Sequence, residues 1–300
     1  MKPLISIILP VYNSEKYLAQ AIESILSQSF TNFEFIIIND ASTDQSRSII
    51  GFYRDSRIRI VDNIKNRGNY ACRNAGLKLA RGAFIAVMDA DDIAEPDRFK
   101  IQYRFLKKND GIGLVGSHCR VIDKHGNETG YYTKAVHHAQ IKTMLLRDNH
   151  FVHPSVLMRN DFIKKHYLRY NEAYTYAADY DFMVKCSHRF SIANIDEPLI
   201  RYRVHEDQIT EAKKQQQTHF ADLIRLKQLA LFKIKTSTTE KQLHLKIMKA
   251  CHLDDTQSLA AFNWCERLLR QNTKQRLFHH TTLYNLLQLL LEKCFSARTP

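Results

Sequence analysis

Glycine and proline are scarce in this 300-residue chain, at nine and six residues, which excludes collagen-like and low-complexity disordered architectures built from them. Cysteine is sparse and scattered. Cys72, Cys119, Cys186, Cys251, Cys265 and Cys294 form no C-x-x-C pair and have no zinc-finger spacing with histidine, so a disulfide scaffold is not indicated and a reducing compartment is expected. No apolar run approaches the ~18 residues of a membrane span. Met1-Lys2-Pro3 leads directly into a strand-like segment with no separate cleavage site, and the expectation is a cytoplasmic chain whose membrane contact is at most peripheral. Two nucleotide signatures are missing as well. There is no G-x-x-x-x-G-K-[ST], and no G-x-G-x-x-G follows the first apolar run, so ATPase and dinucleotide-dependent dehydrogenase readings lose most of their weight.

What is present is the composition of a soluble globular protein, 44% hydrophobic and 25% charged, long enough for one large domain or one domain with an appendage. The formal charge is +13, which suggests phosphate, nucleic acid or an anionic membrane as a partner. The surplus is uneven: residues 1–100 are near neutral at +1, whereas residues 201–300 carry +8.

The first ninety residues repeat a short apolar run, a polar turn and a helix-periodic segment, the pattern of β-α units on a parallel sheet. The runs are Leu4 to Leu9, Phe33 to Ile38, Ile58 to Val61 and Ala83 to Met88, mostly continuous, as strands covered on both faces require. Tyr17, Leu18, Ala21, Ile22, Ile25 and Leu26 recur at helix spacing and are expected to form one buried stripe. Ser42-Thr43-Asp44-Gln45 reads as a capping box, Gly82 as a helix C-terminus, and Pro96 as the first turn of a helix through about Lys108. Ile112 to Val115 is a further strand and Val121 to Tyr132 an irregular hairpin, so the sheet is expected to become mixed. One helix is expected near 180–189, and from about Glu206 onward four or five helices. Two of these, near 218–235 and 281–295, carry leucine-rich stripes beside basic residues.

In an open α/β sheet, ligands bind beyond the carboxyl ends of the strands, where loop backbones and helix N-termini converge. The turns there are Pro10-Val11-Tyr12-Asn13, Asn39-Asp40-Ala41-Ser42, Asn63 through Asn74, and Asp89-Ala90-Asp91-Asp92. Asp89 and Asp91, spaced D-x-D with Asp92 beside them, offer hard oxygen ligands suited to Mg²⁺ or Mn²⁺ bridging a diphosphate; equally, acidic residues there can cap the next helix. Asp40 can read a pyrimidine N3-H or serve locally in an Asx turn. Asn66-Arg67-Gly68 and Arg73-Asn74 can neutralise a diphosphate or simply open a solvated helix.

Together these stretches resemble the nucleotide-sugar-binding half of the inverting glycosyltransferase family 2. The matching strings are SIILPVYNSEKYL (6–18), INDASTDQS (38–46), NRGNYACRNAGLKLARG (66–82), AVMDADD (86–92), HPSVLMR (153–159), AADYDF (177–182) and YRVHEDQIT (202–210). The resemblance implies a GT-A fold, an α/β architecture with a Rossmann-like, mostly parallel mixed sheet flanked by helices, here with a C-terminal helical extension. The implied organisation is a catalytic domain over 1–205, with a nucleotide-sugar half (1–115) and an acceptor half (116–205), followed by a basic helical extension over 206–300.

By the same resemblance Asp40 contacts the uracil, Pro10, Val11 and Tyr12 wall the base, Asn66 and Arg73 lie on the donor side, Asp89 faces the ribose, Asp91 ligates Mn²⁺ or Mg²⁺, and His205 falls at a further metal or diphosphate contact. His205 also reads as an ordinary surface histidine. Asp179 is the candidate base, with a competing reading as the N-cap of the following helix. Relatives often carry Glu-Asp where this chain has Ala178-Asp179, which puts acceptor-side hydrogen bonding or the tuning of the base in question.

The implied reaction moves a sugar from a UDP-sugar to a lipid-linked, lipooligosaccharide or polysaccharide hydroxyl by metal-assisted single displacement. One rival is a sugar nucleotidyltransferase, which needs a Gly- and Arg/Lys-rich triphosphate loop where Pro10-Val11-Tyr12-Asn13 stands. Another is a basic nucleic-acid-binding protein, which needs exposed aromatics interleaved with the basic residues; the chain has one Trp, and no nucleic-acid partner is expected. The C-terminal leucine stripes either lie on the inner face of an anionic membrane or pack against protein.

Overall fold

The computed structural model describes residues 2–206 and 213–296. Its centre is a nine-stranded mixed sheet whose main path runs β3-β2-β1-β4-β8-β6-β9-β5, with β7 paired to β6. The four apolar runs become β1 (Ile5–Val11), β2 (Phe33–Asn39), β3 (Ile58–Asp62) and β4 (Phe84–Val87), all parallel to their neighbours in this group. Every residue of β2 is buried, whereas β3, at the sheet edge, alternates between partly and fully exposed, because only an inner strand has helices over both faces.

Helix α1 (Leu18–Leu26) buries Leu18, Ala21, Ile22 and Ile25, most of the stripe expected from spacing. Helix α2 (Ser46–Phe52) starts at Ser46 with no side-chain cap, so the capping box at 42–45 does not form. Ser42 Oγ instead accepts from Asn13 N at 3.2 Å, and Asp44 bridges, accepting from Glu15 N at 3.0 Å and from Ser46 N at the start of α2 at 2.9 Å. Helix α3 (Asn69–Leu79) ends before Gly82, which is not its cap. A Cβ on Gly82 would lie 2.7 Å from Ser6 N and 2.8 Å from Ile5 C, so this glycine permits close approach to β1, where Gly82 N donates to Ser6 Oγ at 2.8 Å. Helix α4 (Arg98–Lys108) begins two residues after Pro96, with Asp97 at its N-cap position.

Beyond the short β5 (Ile93–Ala94), the expected four-residue strand is the start of the 11-residue β6 (Ile112–Ile122). It forms the expected hairpin with β7 (Glu128–Tyr132), irregular between Val121 and Ile122. After helices α5 (His138–Met144) and α6 (Asn160–Lys165), which flank β8 (Leu157–Arg159), and α7 (Ala178–Ser187), strand β9 (Ser191–Arg203) runs parallel to β6. That long pairing brings the chain at 201–205 back beside the β4 turn. Antiparallel pairs of β8 with β4 and β6 make the sheet mixed.

Among the described residues the C-terminal region holds four α-helices, α8 (Lys214–Leu229), α9 (Thr238–Met248), α10 (Asp255–Gln275) and α11 (His280–Ser296). A capping box does open α9, between Ser237 and Glu240. Leu283, Leu286, Leu287, Leu290 and Leu291 of α11 are buried with Phe232, Trp264, Leu268 and Phe278, and Met144 and Leu146 of the α5 region join them. The α11 stripe is therefore protein core, the second of the two readings its periodicity offered. On α8, Ile224 is buried and Leu223 exposed. No helix among the described residues is long and apolar enough to cross a membrane.

Two substitutions test this packing. Gly82→Ala should lower unfolding free energy by about 1–3 kcal/mol through overpacking against β1, and Leu287→Ala should lower it by about 2–5 kcal/mol through a cavity in the helical core. Urea denaturation measures both; a neutral Leu287→Ala would mean the stripe is not core.

Candidate active site

The carboxyl ends of β1, β2, β3 and β4 bring the polar turns to one edge. Asp40, at the end of β2, is 2% exposed and its carboxylate accepts from Asn63 Nδ2 at 2.7 Å, Arg67 N at 3.0 Å and Gly68 N at 2.8 Å. It thereby orders the 63–68 loop. Gly68 adopts φ +86° at the entry to α3, a region that favours glycine. Asn66 turns back on the same loop, its Oδ1 accepting from Gly68 N at 3.1 Å. Tyr12 is exposed and Pro10 half-buried at the β1 end. Val11 is 1% exposed and packs into the core, so it reaches this edge through its backbone, whose carbonyl accepts from Asp40 N at 2.8 Å.

The three carboxylates after β4 do not converge on one point, contrary to the shared-ligand reading of the turn. Asp89 forms an ion pair with Arg73, itself buried and lying over the Tyr70 ring at 5.5 Å. Arg73 is thus committed to Asp89. Asp92 points inward and accepts from Arg203 N at 2.8 Å, while Arg203 also donates through Nε to the Asp91 carbonyl at 2.8 Å. Asp91 alone turns toward His205: Asp91 Oδ2 lies 3.1 Å from His205 Nε2. The imidazole packs 5.1 Å from the Tyr17 ring, and its Nδ1 is buried with no hydrogen-bond partner among the described residues. His205 is therefore built into the site rather than a free surface histidine. No group of three potential ligands gathers among the described residues. Asp91 and His205 are a two-donor O,N set of a kind Mn²⁺ accepts, and further ligands would have to come from a bound diphosphate. The end of the YRVHEDQIT string, residues 207–210, lies outside the described residues.

Asp179 sits across the cleft. Helix α7 is preceded by Ala177 at its N-cap position with no side-chain cap, so Asp179, inside the first turn, is not the cap. Its Oδ1 accepts from Tyr70 Oη at 2.9 Å and its Oδ2 from Asn149 Nδ2 at 2.8 Å. Burial, with the nearby Asp179 charge, raises the Tyr70 phenol well above its ordinary range, so it stays protonated and donates. Ala178 is fully buried; the polar support expected from a neighbouring carboxylate comes instead from Tyr70 and Asn149. Neither was legible as a partner: Tyr70 is one unremarked residue within NRGNYACRNAG, and Asn149 lies in a loop with no motif.

Tyr70, Arg73, Asp89 and Asp179 line one cleft of about 340 Å³, together with Lys134 and His153 among others. Burial holds His153 well below the ordinary imidazole range, and its Nε2 lies 2.9 Å from Tyr170 Oη. It is a neutral wall.

The model of the Glycosyl transferase family 2 matches residues 6–168. An uncharacterized glycosyltransferase of Methanocaldococcus jannaschii is 36% identical over 71% of this chain and 76% of its own length. One from Haemophilus influenzae is 31% identical over 84% and 81%. Among solved structures, S. aureus TarS 1-349 in complex with UDP-GlcNAc aligns with a TM-score of 0.65 at 18% identity, covering 99% of this chain and 92% of that one. The mannosyltransferase PcManGT from Pyrobaculum calidifontis, in complex with GDP-Man and Mn²⁺, aligns at 0.60 and 13% identity over 98% and 86%. These likenesses show a shared GT-A fold.

The buried Asp92 gives a stability test. Burial, with Asp91 and Asp89 adding repulsion, pushes its carboxyl well above the usual aspartate range. The folded state then keeps a proton that the unfolded chain releases, so the site costs stability as pH rises above the unfolded pKa and costs nothing below it. Asp92→Asn should raise Tm at neutral pH by roughly 2 °C or more, with little change near about pH 3.5. Equal shifts at both pH values in calorimetry would contradict a neutral Asp92.

Proposed function

This chain belongs to glycosyltransferase family 2 and is a glycosyl-transferring enzyme, and from that premise we propose that it transfers a sugar with inversion from a UDP-sugar to a glycan or glycolipid hydroxyl. The observation that carries this reading is the convergence of Asp179 and the Arg73-paired Asp89 on one cleft.

Asp179 is the base. It takes the proton of the acceptor hydroxyl as that oxygen attacks the anomeric carbon from the face opposite the leaving UDP. The new C–O bond forms while the bond from C1 to the phosphate oxygen breaks, and the electron pair leaves with UDP. Tyr70 and Asn149 fix the orientation of the carboxylate by donating one hydrogen bond to each of its oxygens. On the donor side, Tyr12 and Pro10 flank the base-binding edge, Asp40 and Asn66 keep the 63–68 loop in place beside it, and Arg73 orients Asp89 toward the ribose. Asp91 and His205 would hold Mn²⁺ or Mg²⁺, and the cation would supply positive charge to the departing diphosphate.

Support for a nucleotide-diphosphate sugar comes from the two solved neighbours, which bind UDP-GlcNAc and GDP-Man. A cell-surface glycan acceptor and the division into a catalytic part over 1–205 and a helical part over 206–300 belong to the same proposal.

UDP release by the purified protein with Mn²⁺, across a panel of UDP-sugars, tests the activity. Asp179→Ala should reduce transfer by about 10²–10⁴-fold, the scale of general-base catalysis, and Asp91→Ala should abolish the dependence on Mn²⁺. If both variants retain full transfer, the assignment is wrong. Tyr70→Phe and Asn149→Ala should each slow transfer by roughly tenfold, because the base loses a hydrogen bond that fixes its orientation.

A further inference from the structure

One charged group lining the cleft has no role in the reaction above. Arg73 and Asp89 neutralise each other, and Asp179 is held by the neutral donors Tyr70 and Asn149. Lys134, in the segment after β7, lines the same cleft, and among the described residues its ammonium has no ion-pair partner. The backbone holds it in place: Lys134 N donates to His118 Nδ1 at 3.3 Å and Ala135 N to His150 Nδ1 at 3.1 Å. The side chain is half-buried, and burial lowers its pKa, with only Asp148 and Cys119 pulling the other way. A partly desolvated ammonium without a counter-ion is unfavourable, and a ligand anion would relieve it.

The position of Lys134 bears on which ligand that is. The cleft it lines includes Asp179 and the mutually neutralised Arg73–Asp89 pair, but not Asp91, His205, Asp40 or the Pro10–Tyr12 edge. Its neighbours in the wall are aromatic: the Tyr132 and Tyr202 rings lie 6.3 Å apart at 50°, a surface suited to the apolar face of a sugar ring.

We propose that Lys134 recognises a phosphate or carboxylate on the acceptor, so that the acceptor is an anionic glycan whose attacking hydroxyl reaches Asp179. This rests on the assignment of Asp179 as the base facing the acceptor. A charge-assisted contact of this kind discriminates strongly against a neutral acceptor, because a neutral ligand leaves the ammonium unpaired.

Differential lysine labelling tests it without turnover. The full chain, with UDP and Mn²⁺, is treated with an amine-reactive reagent in the presence of glucose, glucose 6-phosphate or glucuronic acid, and Lys134 modification is read by peptide mass spectrometry. The two anionic probes separate phosphate from carboxylate, and one of them should slow Lys134 labelling by about tenfold relative to glucose. Lys134→Met should lose binding of that probe by a similar factor, Lys134→Arg should restore it, and UDP affinity should change by less than about twofold. Equal protection by glucose, or no protection by either anion, overturns the proposal. So does a loss of UDP affinity in Lys134→Met as large as the loss of probe affinity, which would assign the lysine to the donor diphosphate. Protection by an anion in a protein that transfers no sugar would leave Lys134 as an anion site and remove the transferase reading of the cleft instead.

Discussion

Three carboxylates within four residues, Asp89, Asp91 and Asp92, sit on one turn after β4, and the site depends on how three arginines hold that turn together. Arg73 pairs with Asp89 from α3. Arg203, at the end of β9, donates its backbone N–H to Asp92 and its Nε to the Asp91 carbonyl. Arg98, fully buried beneath, donates to the Val87 carbonyl at 3.0 Å, and burial lowers its pKa to about 9 against the pull of Asp92 and Asp89. Like charges this close repel strongly in a low-dielectric interior, so each carboxylate is compensated differently: one by an ion pair, one by a buried amide and a retained proton, and one left facing His205. That inequality is what gives the turn chemistry.

The strand that follows this turn, β5, pairs antiparallel with β9, Ile93 opposite Arg201, and that pairing sets Arg203 and His205 beside Asp92 and Asp91. Nearer the cleft, the Arg73 guanidinium lies over Tyr70, and Tyr70 in turn donates to Asp179. One helix, α3, thus supplies both the ion-pair partner of Asp89 and a hydrogen-bond donor to Asp179 across the cleft. The C-terminal helices stand behind this arrangement: Gln228 of α8 donates to the Leu145 carbonyl at 2.9 Å, and Tyr180 of α7 donates to the same carbonyl at 2.6 Å.

Much of this was legible in the chain. The four apolar runs, the α1 stripe and the position of every polar turn follow from short-range periodicity, and the structure bears them out. Reading failed where a residue's job depends on something distant. Ser42 looks like a helix cap but accepts from the 13–15 loop, and Asp44 divides its carboxylate between that loop and the first amide of α2. Gly82 looks like a helix terminus but is small because β1 passes within van der Waals distance. The leucines of α11 look equally suited to a bilayer or a core, since periodicity reports that a face is apolar and not what covers it.

The amino-acid sequence by itself determined the order of the β-α units, the carboxylates at the strand ends and the family to which the chain belongs. Only the tertiary structure decided which of those carboxylates share a partner. Asp179 meets Tyr70 across 109 residues, and His205 meets Asp91 across 114. Such contacts are set by strand order and by the parallel register of β6 with β9, which arise from the collective packing of the sheet. No local pattern encodes them, and for that reason the residues that support Asp179, and the absence of an ion-pair partner for Lys134 among the described residues, emerge only when the chain is folded.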